Sequence, residues 1–176
     1  VKRVGVLGIG NVLMGDDALG PFVIKLLEAA WEPLDGLQLI DAGTPGLDLT
    51  AYLAELDAVV VVDVVKANGA PGEIRVFDKA ELVTRPPILA LSPHEPGLRE
   101  AILNADFLEV SPKSIRLVGV VPDSVDYRLG LSEPVRAALP AVLERVHAEL
   151  AVVGVTPARR AAPLAPDIWW ERKAGA

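Results

Sequence analysis

Val59-Val60-Val61-Val62-Asp63 sets four consecutive β-branched residues directly against a carboxylate. A continuous run of this kind is what a strand covered on both faces looks like, so the stretch reads as a central strand ending at Asp63. Working outward, Val4–Leu7 is a second short apolar run, broken at Gly8-Ile9-Gly10-Asn11. It reads as a buried strand leaving its sheet through a glycine-rich turn. Leu37–Ile40 is a strand ending at Asp41, Glu73–Phe77 alternates like a more exposed one, and Ile115–Val121 is another. Between them lie helical spacings. Phe22, Val23, Leu26 and Leu27 follow Pro21, and Leu47, Leu49, Leu53 and Leu56 follow the turn Gly43-Thr44-Pro45-Gly46. A last helix runs from a Ser132 cap to about Val152, with Pro134 in its first turn and a kink expected at Pro140. The alternation β-α-β-α-β predicts an α/β sandwich with a largely parallel sheet.

A chain of 176 residues suits one domain, and with 51% apolar and 23% charged residues it is globular. The domain is expected over 1–153, followed by an Ala-, Pro- and Arg-rich tail over 154–176. That tail is expected to hug the surface or to be disordered, and its Trp169-Trp170 to dock on the domain's own body or on a partner, the former favoured. The net charge of −7 argues against nucleic acid or anionic lipid as a partner. Cysteine is absent, which excludes disulfides, thiolate metal sites in this chain and a cysteine nucleophile, and fits a reducing compartment. Lys2-Arg3 and the apolar residues after it imitate a signal peptide, but the run ends in Gly15-Asp16-Asp17 and not in a small-x-small cleavage site. Ala58–Val65 is too short to span a bilayer, which takes about 20 residues. The expectation is a soluble cytoplasmic protein, monomeric, that meets its partner transiently.

In open α/β sheets, ligands bind beyond the carboxyl ends of the strands. That edge collects Asn11, Asp16 and Asp17 from the first strand, Asp41 from the second, Asp63 from the valine strand, and Ser92-Pro93-His94 from a Pro-rich loop. Any one aspartate after a strand can be a plain cap. Asp63 is harder to dismiss, because a carboxylate behind four buried valines needs a cation, a metal, hydrogen-bond donors or a proton. Two carboxylates and an imidazole on separate loops make a plausible site for nickel or zinc with positions left open. His147, between Arg145 and Glu149 on the last helix, reads as a surface residue. Rival chemistries fit less well. The Gly8-Ile9-Gly10 turn lacks the third glycine of a dinucleotide fingerprint, and Asp41 lies too far on to read a ribose. There is no Gly-Lys-Ser/Thr phosphate loop and no Gly-x-Ser-x-Gly elbow. A pair of aspartates sharing a proton, as in acid proteases, stays open for Asp17 and Asp63.

The sequence from Gly8 to Gly20, Gly-Ile-Gly-Asn-Val-Leu-Met-Gly-Asp-Asp-Ala-Leu-Gly, resembles the opening signature of the hydrogenase maturation proteases. Four further motifs match in order: Asp41-Ala42-Gly43-Thr44-Pro45-Gly46, Val61-Val62-Asp63, Ser92 through Leu98 around His94, and Gly119 through Ser124 followed by Gly130-Leu131-Ser132. The resemblance implies a three-layer α/β/α sandwich around a twisted, mainly parallel sheet. It implies an endopeptidase that removes the C-terminal extension of a nickel–iron hydrogenase large-subunit precursor once nickel is in place. It implies Asp17, Asp63 and His94 as metal ligands and catalytic residues, with the nickel contributed by the substrate and no nucleotide. Asp17 is favoured over its neighbour Asp16, in a position where the family often carries glutamate. Asp41, with Gly43 and Thr44, falls at a position implied in substrate recognition. Two other classes compete: a non-proteolytic binding module for a metalloprotein, and a nucleotide-binding α/β enzyme.

Overall fold

The computed structural model describes residues 2–45, 49–85, 88–89 and 97–172. The valine run lies at the middle of the sheet. Strands β1 (Val4–Ile9), β2 (Leu37–Gly43), β3 (Ala58–Lys66), β4 (Ile74–Asp78) and β6 (Ser114–Val120) are ordered β2-β1-β3-β6-β4. The two-residue β5 (Ile88–Leu89) pairs antiparallel with the end of β3. The β1–β2, β1–β3 and β3–β6 pairs are parallel, whereas the edge strand β4 runs antiparallel to its neighbour β6. The α-helices of the described residues are α1 (Leu19–Ala30), α2 (Leu49–Ala54), α3 (Lys79–Thr84), α4 (Leu98–Phe107) and α5 (Glu133–Val152).

Successive side chains of a strand point to opposite faces, and β3 supplies apolar residues to both. Val60, Val62 and Val64 join Phe22, Ile24 and Leu27 of α1 and Val135, Val142 and Val146 of α5 in one core. Val59, Val61 and Val65 join Leu53 of α2, Leu82 of α3 and Ile102 of α4 in the other. The three expected layers are therefore present, and each buried valine contributes about 1.5–3 kcal/mol of apolar burial.

Helix α1 crosses β1 in backbone contact. A Cβ on Gly8 would stand 2.4 Å from the Gly20 carbonyl oxygen, and one on Gly20 would stand 2.2 Å from that of Ile9. No side chain fits between, so the two glycines fix where α1 begins and where the turn before it must pass.

Three expectations are corrected. Strand β3 does not end at Asp63 but runs on to Lys66, and β2 passes Asp41 to reach Gly43. Backbone pairing to β6 and β5 carries β3 through the carboxylate position. Ser132 stands at the start of α5, yet its hydroxyl caps nothing in that helix and is turned instead to Asp16. Helix α5 spans Glu133–Val152 with Pro140 inside it, in line with the expected extent.

The chain after α5 returns along α1. Glu32 N–H donates to Ala158 O (2.9 Å), Arg160 N–H to Ala30 O (2.8 Å) and Leu164 N–H to Ala29 O (2.9 Å). A 3-10 turn, Trp169–Glu171, then places Trp170 edge-on to Phe22 with 5.1 Å between ring centroids. Arg136 of α5 stacks over the same Phe22 ring and pairs with Glu171. Trp170 is buried, whereas Trp169 remains 57% exposed.

Candidate active site

Strand β1 has β2 on one side and β3 on the other. The chain leaves β1 for β2, then crosses back to build the rest of the sheet, so a crevice opens beyond the carboxyl ends of β1 and β3, as at other topological switch points. The last β1–β3 pair is Gly8–Val62. Asp63 is the next residue, paired on its other side with Gly119 of β6. Its carboxylate is 2% exposed, and its Oδ1 accepts the Val64 N–H at 2.7 Å.

Asp17 lies on a 3-10 turn, Gly15–Ala18, that packs against β3. It is buried, and its Oδ2 accepts the Asn11 N–H at 2.8 Å. Gly10 makes this possible. Its φ of 141° is outside the range of ordinary residues, and a Cβ there would stand 1.7 Å from the Asp17 carbonyl oxygen. The glycine-rich turn thus closes directly onto the residue that carries the first carboxylate.

Asp16 is different in kind. Its Oδ2 accepts from Asp123 N (2.8 Å), Ser124 N (3.1 Å) and Ser132 Oγ (2.8 Å), and its Oδ1 from Ser132 N at 2.6 Å. A carboxylate offers about four lone-pair sites, and four donors, three of them on Oδ2, engage both of its oxygens. Around it, Gly15 N–H donates to Arg128 O, Asp16 N–H to Ser124 O and Arg128 N–H to Leu13 O. Asp16 therefore ties the first loop to residues 123–132. This role was not foreseen in the sequence, although both ends of the tie lie in the quoted motifs.

Among the described residues the buried carboxylates are Asp16, Asp17, Asp63 and Glu149. Glu149 is neutralised by Arg116 (2.7 Å) and Arg145 (2.8 Å), away from the crevice. His147 on the same helix is half-buried, its ring edge-on to Trp31 at the far end of α1. His94 falls outside the described residues. Before that gap, Leu89 pairs with Val65, two positions past Asp63; after it, Leu98 begins α4. No group of three or more potential ligands gathers among the described residues.

Asp41, Gly43 and Thr44 border the crevice on the β2 side. Between Gly8–Asp41 and Ile9–Gly43 the β1–β2 register skips Ala42, a bulge that redirects the end of the strand. Gly10 N–H donates to Gly43 O (2.8 Å), and the exposed Asp41 accepts the Gly43 N–H with its Oδ1 at 3.1 Å. These residues share a groove of about 260 Å³ with Asn11, Val12 and Trp169. Trp169 is a lining residue that sequence reasoning missed, because nothing local connects the tail to the first loop.

Comparisons place this arrangement among known proteins. The family model described as hydrogenase maturation protease matches residues 21–149. The hydrogenase 2 maturation protease of Escherichia coli is 33% identical over 156 residues, 87% of this chain and 93% of the relative. The hydrogenase expression/formation protein HupD of Bradyrhizobium diazoefficiens is 34% identical over 93% of this chain and 86% of its own. The solved structure of the E. coli hydrogenase maturating endopeptidase HybD superposes with a TM-score of 0.80 at 33% identity, covering 90% of this chain and 98% of that one. The maturation protease HycI of Thermococcus kodakarensis gives 0.66 at 26% identity, over 82% and 90% of the two chains. With its switch-point crevice, its buried Asp17 and Asp63 and these relatives, the chain belongs to the hydrogenase maturation protease family and is a peptidase of that family.

Proposed function

We propose that this protein removes the C-terminal extension of a nickel–iron hydrogenase large-subunit precursor after nickel insertion. The observation that carries this reading is the pair of buried aspartates, Asp17 and Asp63, on adjoining elements at the switch point, beside a groove edged by Asp41. Nickel arrives as part of the substrate. Asp17, Asp63 and His94 offer two carboxylates and an imidazole, which suit open positions on a borderline ion. A chain without cysteine does not compete for the thiolate ligands of such an ion. The metal then serves as a tag that seats the scissile bond in the crevice.

Hydrolysis adds water across the amide: the oxygen bonds to the carbonyl carbon, the C–N bond breaks, and the leaving amine gains a proton. An aspartate of the pair takes the proton from the attacking water and returns one to the amine. Asp41, Gly43 and Thr44 bind the substrate chain. The Asn11 amide, which a phosphate would need at a dinucleotide turn, is already engaged by Asp17, and this weighs against the nucleotide-binding alternative. Cytoplasmic residence accords with the absence of cysteine. Among the described residues no helix is long and apolar enough to cross a membrane.

The test is intact-mass analysis of a cognate precursor, loaded with nickel or free of it, after incubation with the protein. Expected is one C-terminal truncation, in the loaded sample only, abolished by Asp63→Ala and by His94→Ala. Truncation of both samples alike would discard nickel as the tag. No truncation of the loaded precursor would leave a binding module.

A further inference from the structure

The groove on the β2 side carries an exposed indole and an exposed carboxylate, Trp169 and Asp41, together with Val12, Pro21, Asn11 and Thr44. None of these residues is basic. The wall is therefore apolar and aromatic along part of its length, and negative at one point.

The indole is held in place from behind. Trp170 is buried against Phe22, Trp169 meets Trp170 edge-on at 5.6 Å, and Glu171 is tied to Arg136. An exposed large aromatic side chain fixed by two buried or paired neighbours does not contribute to the core. It lines the groove instead.

We propose that Trp169 and Asp41 form a subsite for a cationic side chain, lysine or arginine, of the polypeptide that this protein processes. Such side chains lay an apolar stem along apolar surface while the charged head seeks an anion or an aromatic face. Val12 and Pro21 receive the stem, Trp169 offers its ring, and Asp41 supplies the charge. The occupant is a substrate polypeptide because the groove is continuous with the crevice: Asn11 lines the groove, and its amide is bonded to the Asp17 carboxylate. The inference rests on the endopeptidase reading for the identity of that occupant. Trp169 is thus a specificity-determining residue, delivered to the site by the tail.

The test compares wild type, Trp169→Ala and Trp169→Phe on the nickel-loaded precursor. Each is assayed on the natural precursor and on one whose lysines and arginines beside the cleaved bond are changed to glutamine. Trp169→Ala is expected to raise KM about two- to fivefold, the reach of an exposed cation–π contact, with kcat unchanged and Trp169→Phe largely restoring KM. With the glutamine precursor, wild type and Trp169→Ala should have the same KM. An unchanged KM in Trp169→Ala overturns the proposal. So does an equal rise on both precursors, which would make the contact merely apolar. Self-association of wild type that Trp169→Ala abolishes would assign the groove to a second copy and also overturn it.

A second readout needs no cleavage. Two metal-free peptides spanning the cleaved bond, one carrying arginine and one citrulline in its place, are titrated while tryptophan emission is followed. An arginine-dependent change, lost in Trp169→Phe, supports the subsite even if wild type cleaves nothing, in which case the protease reading alone has failed. No binding preference for arginine overturns it.

Discussion

Two aspartates adjacent in the chain, Asp16 and Asp17, face opposite tasks. Asp16 looks back into the protein, and four donors from residues 123–132 occupy its oxygens. Asp17 lies on the turn that packs against β3, the strand that carries Asp63, and its Oδ2 accepts the turn amide of Asn11. Both are buried and both precede the same helix. The contrast shows that burial of a carboxylate is not in itself a sign of chemistry. What separates the structural tie from the residue proposed to react is which partners its oxygens take.

The strongest way to break this contrast is at the crevice. Asp17→Asn and Asp63→Asn should each lower the cleavage rate by about 10³-fold or more, the loss expected when a positioned acid–base group is removed. Their urea unfolding midpoints should stay close to that of wild type. Asp16→Ala should show the reverse pattern. It strands three backbone amides and one hydroxyl, and each unsatisfied buried group costs about 1–3 kcal/mol. A loss of about 3 kcal/mol or more is expected in urea unfolding. If Asp16→Ala kept full stability yet lost all cleavage, the roles assigned to the two residues would have to be exchanged.

Ser132→Ala sharpens the same contrast on a smaller scale. It removes the hydroxyl bond to Asp16 and leaves the Ser132 amide bond in place, so a loss of about 1 kcal/mol is expected.

The smallest effect is at the surface. Asp106 at the end of α4 accepts from Lys79 (2.5 Å), and this ammonium, with a smaller contribution from the Ser111 hydroxyl, holds its carboxyl below the ordinary 3.8. The pair is solvent-exposed, so Lys79→Met should cost no more than about 0.5 kcal/mol. Because the folded-state value is the lowered one, that contribution is present above pH 3.8 and disappears as pH falls through the lowered value. Urea midpoints of the two proteins should therefore converge in acid. A difference that grew as pH fell would contradict this.

Much of the sheet was legible. The valine run and the broken apolar run before Gly8 located the two central strands, because β-branched continuity and glycine interruptions are local signals. Strand ends were not legible at Asp41 and Asp63. A carboxylate looks like a terminus, whereas backbone pairing to neighbours distant in sequence carries both strands past it. Ser132 failed as a cap for a similar reason. The local rule places its hydroxyl on its own helix, but a partner 116 residues away claims it. Of the site, the aspartates and Asp41 could be named from motifs alone. The tie formed by Asp16 and the wall formed by Trp169 depend on contacts that no window of sequence contains.

The return of the tail along α1 also sets an order in time. Arg160 meets Glu32 across 128 residues of chain. A ribosome adding about 5–20 residues per second needs roughly 6–25 s to make that span. During synthesis the sheet's first strands and α1 exist well before the segment that covers Phe22 and brings Trp169 to the groove. The recognition wall is therefore installed later than the strands and helix it lies against, and a chain stopped before it cannot yet discriminate among polypeptides in the way the longer one does.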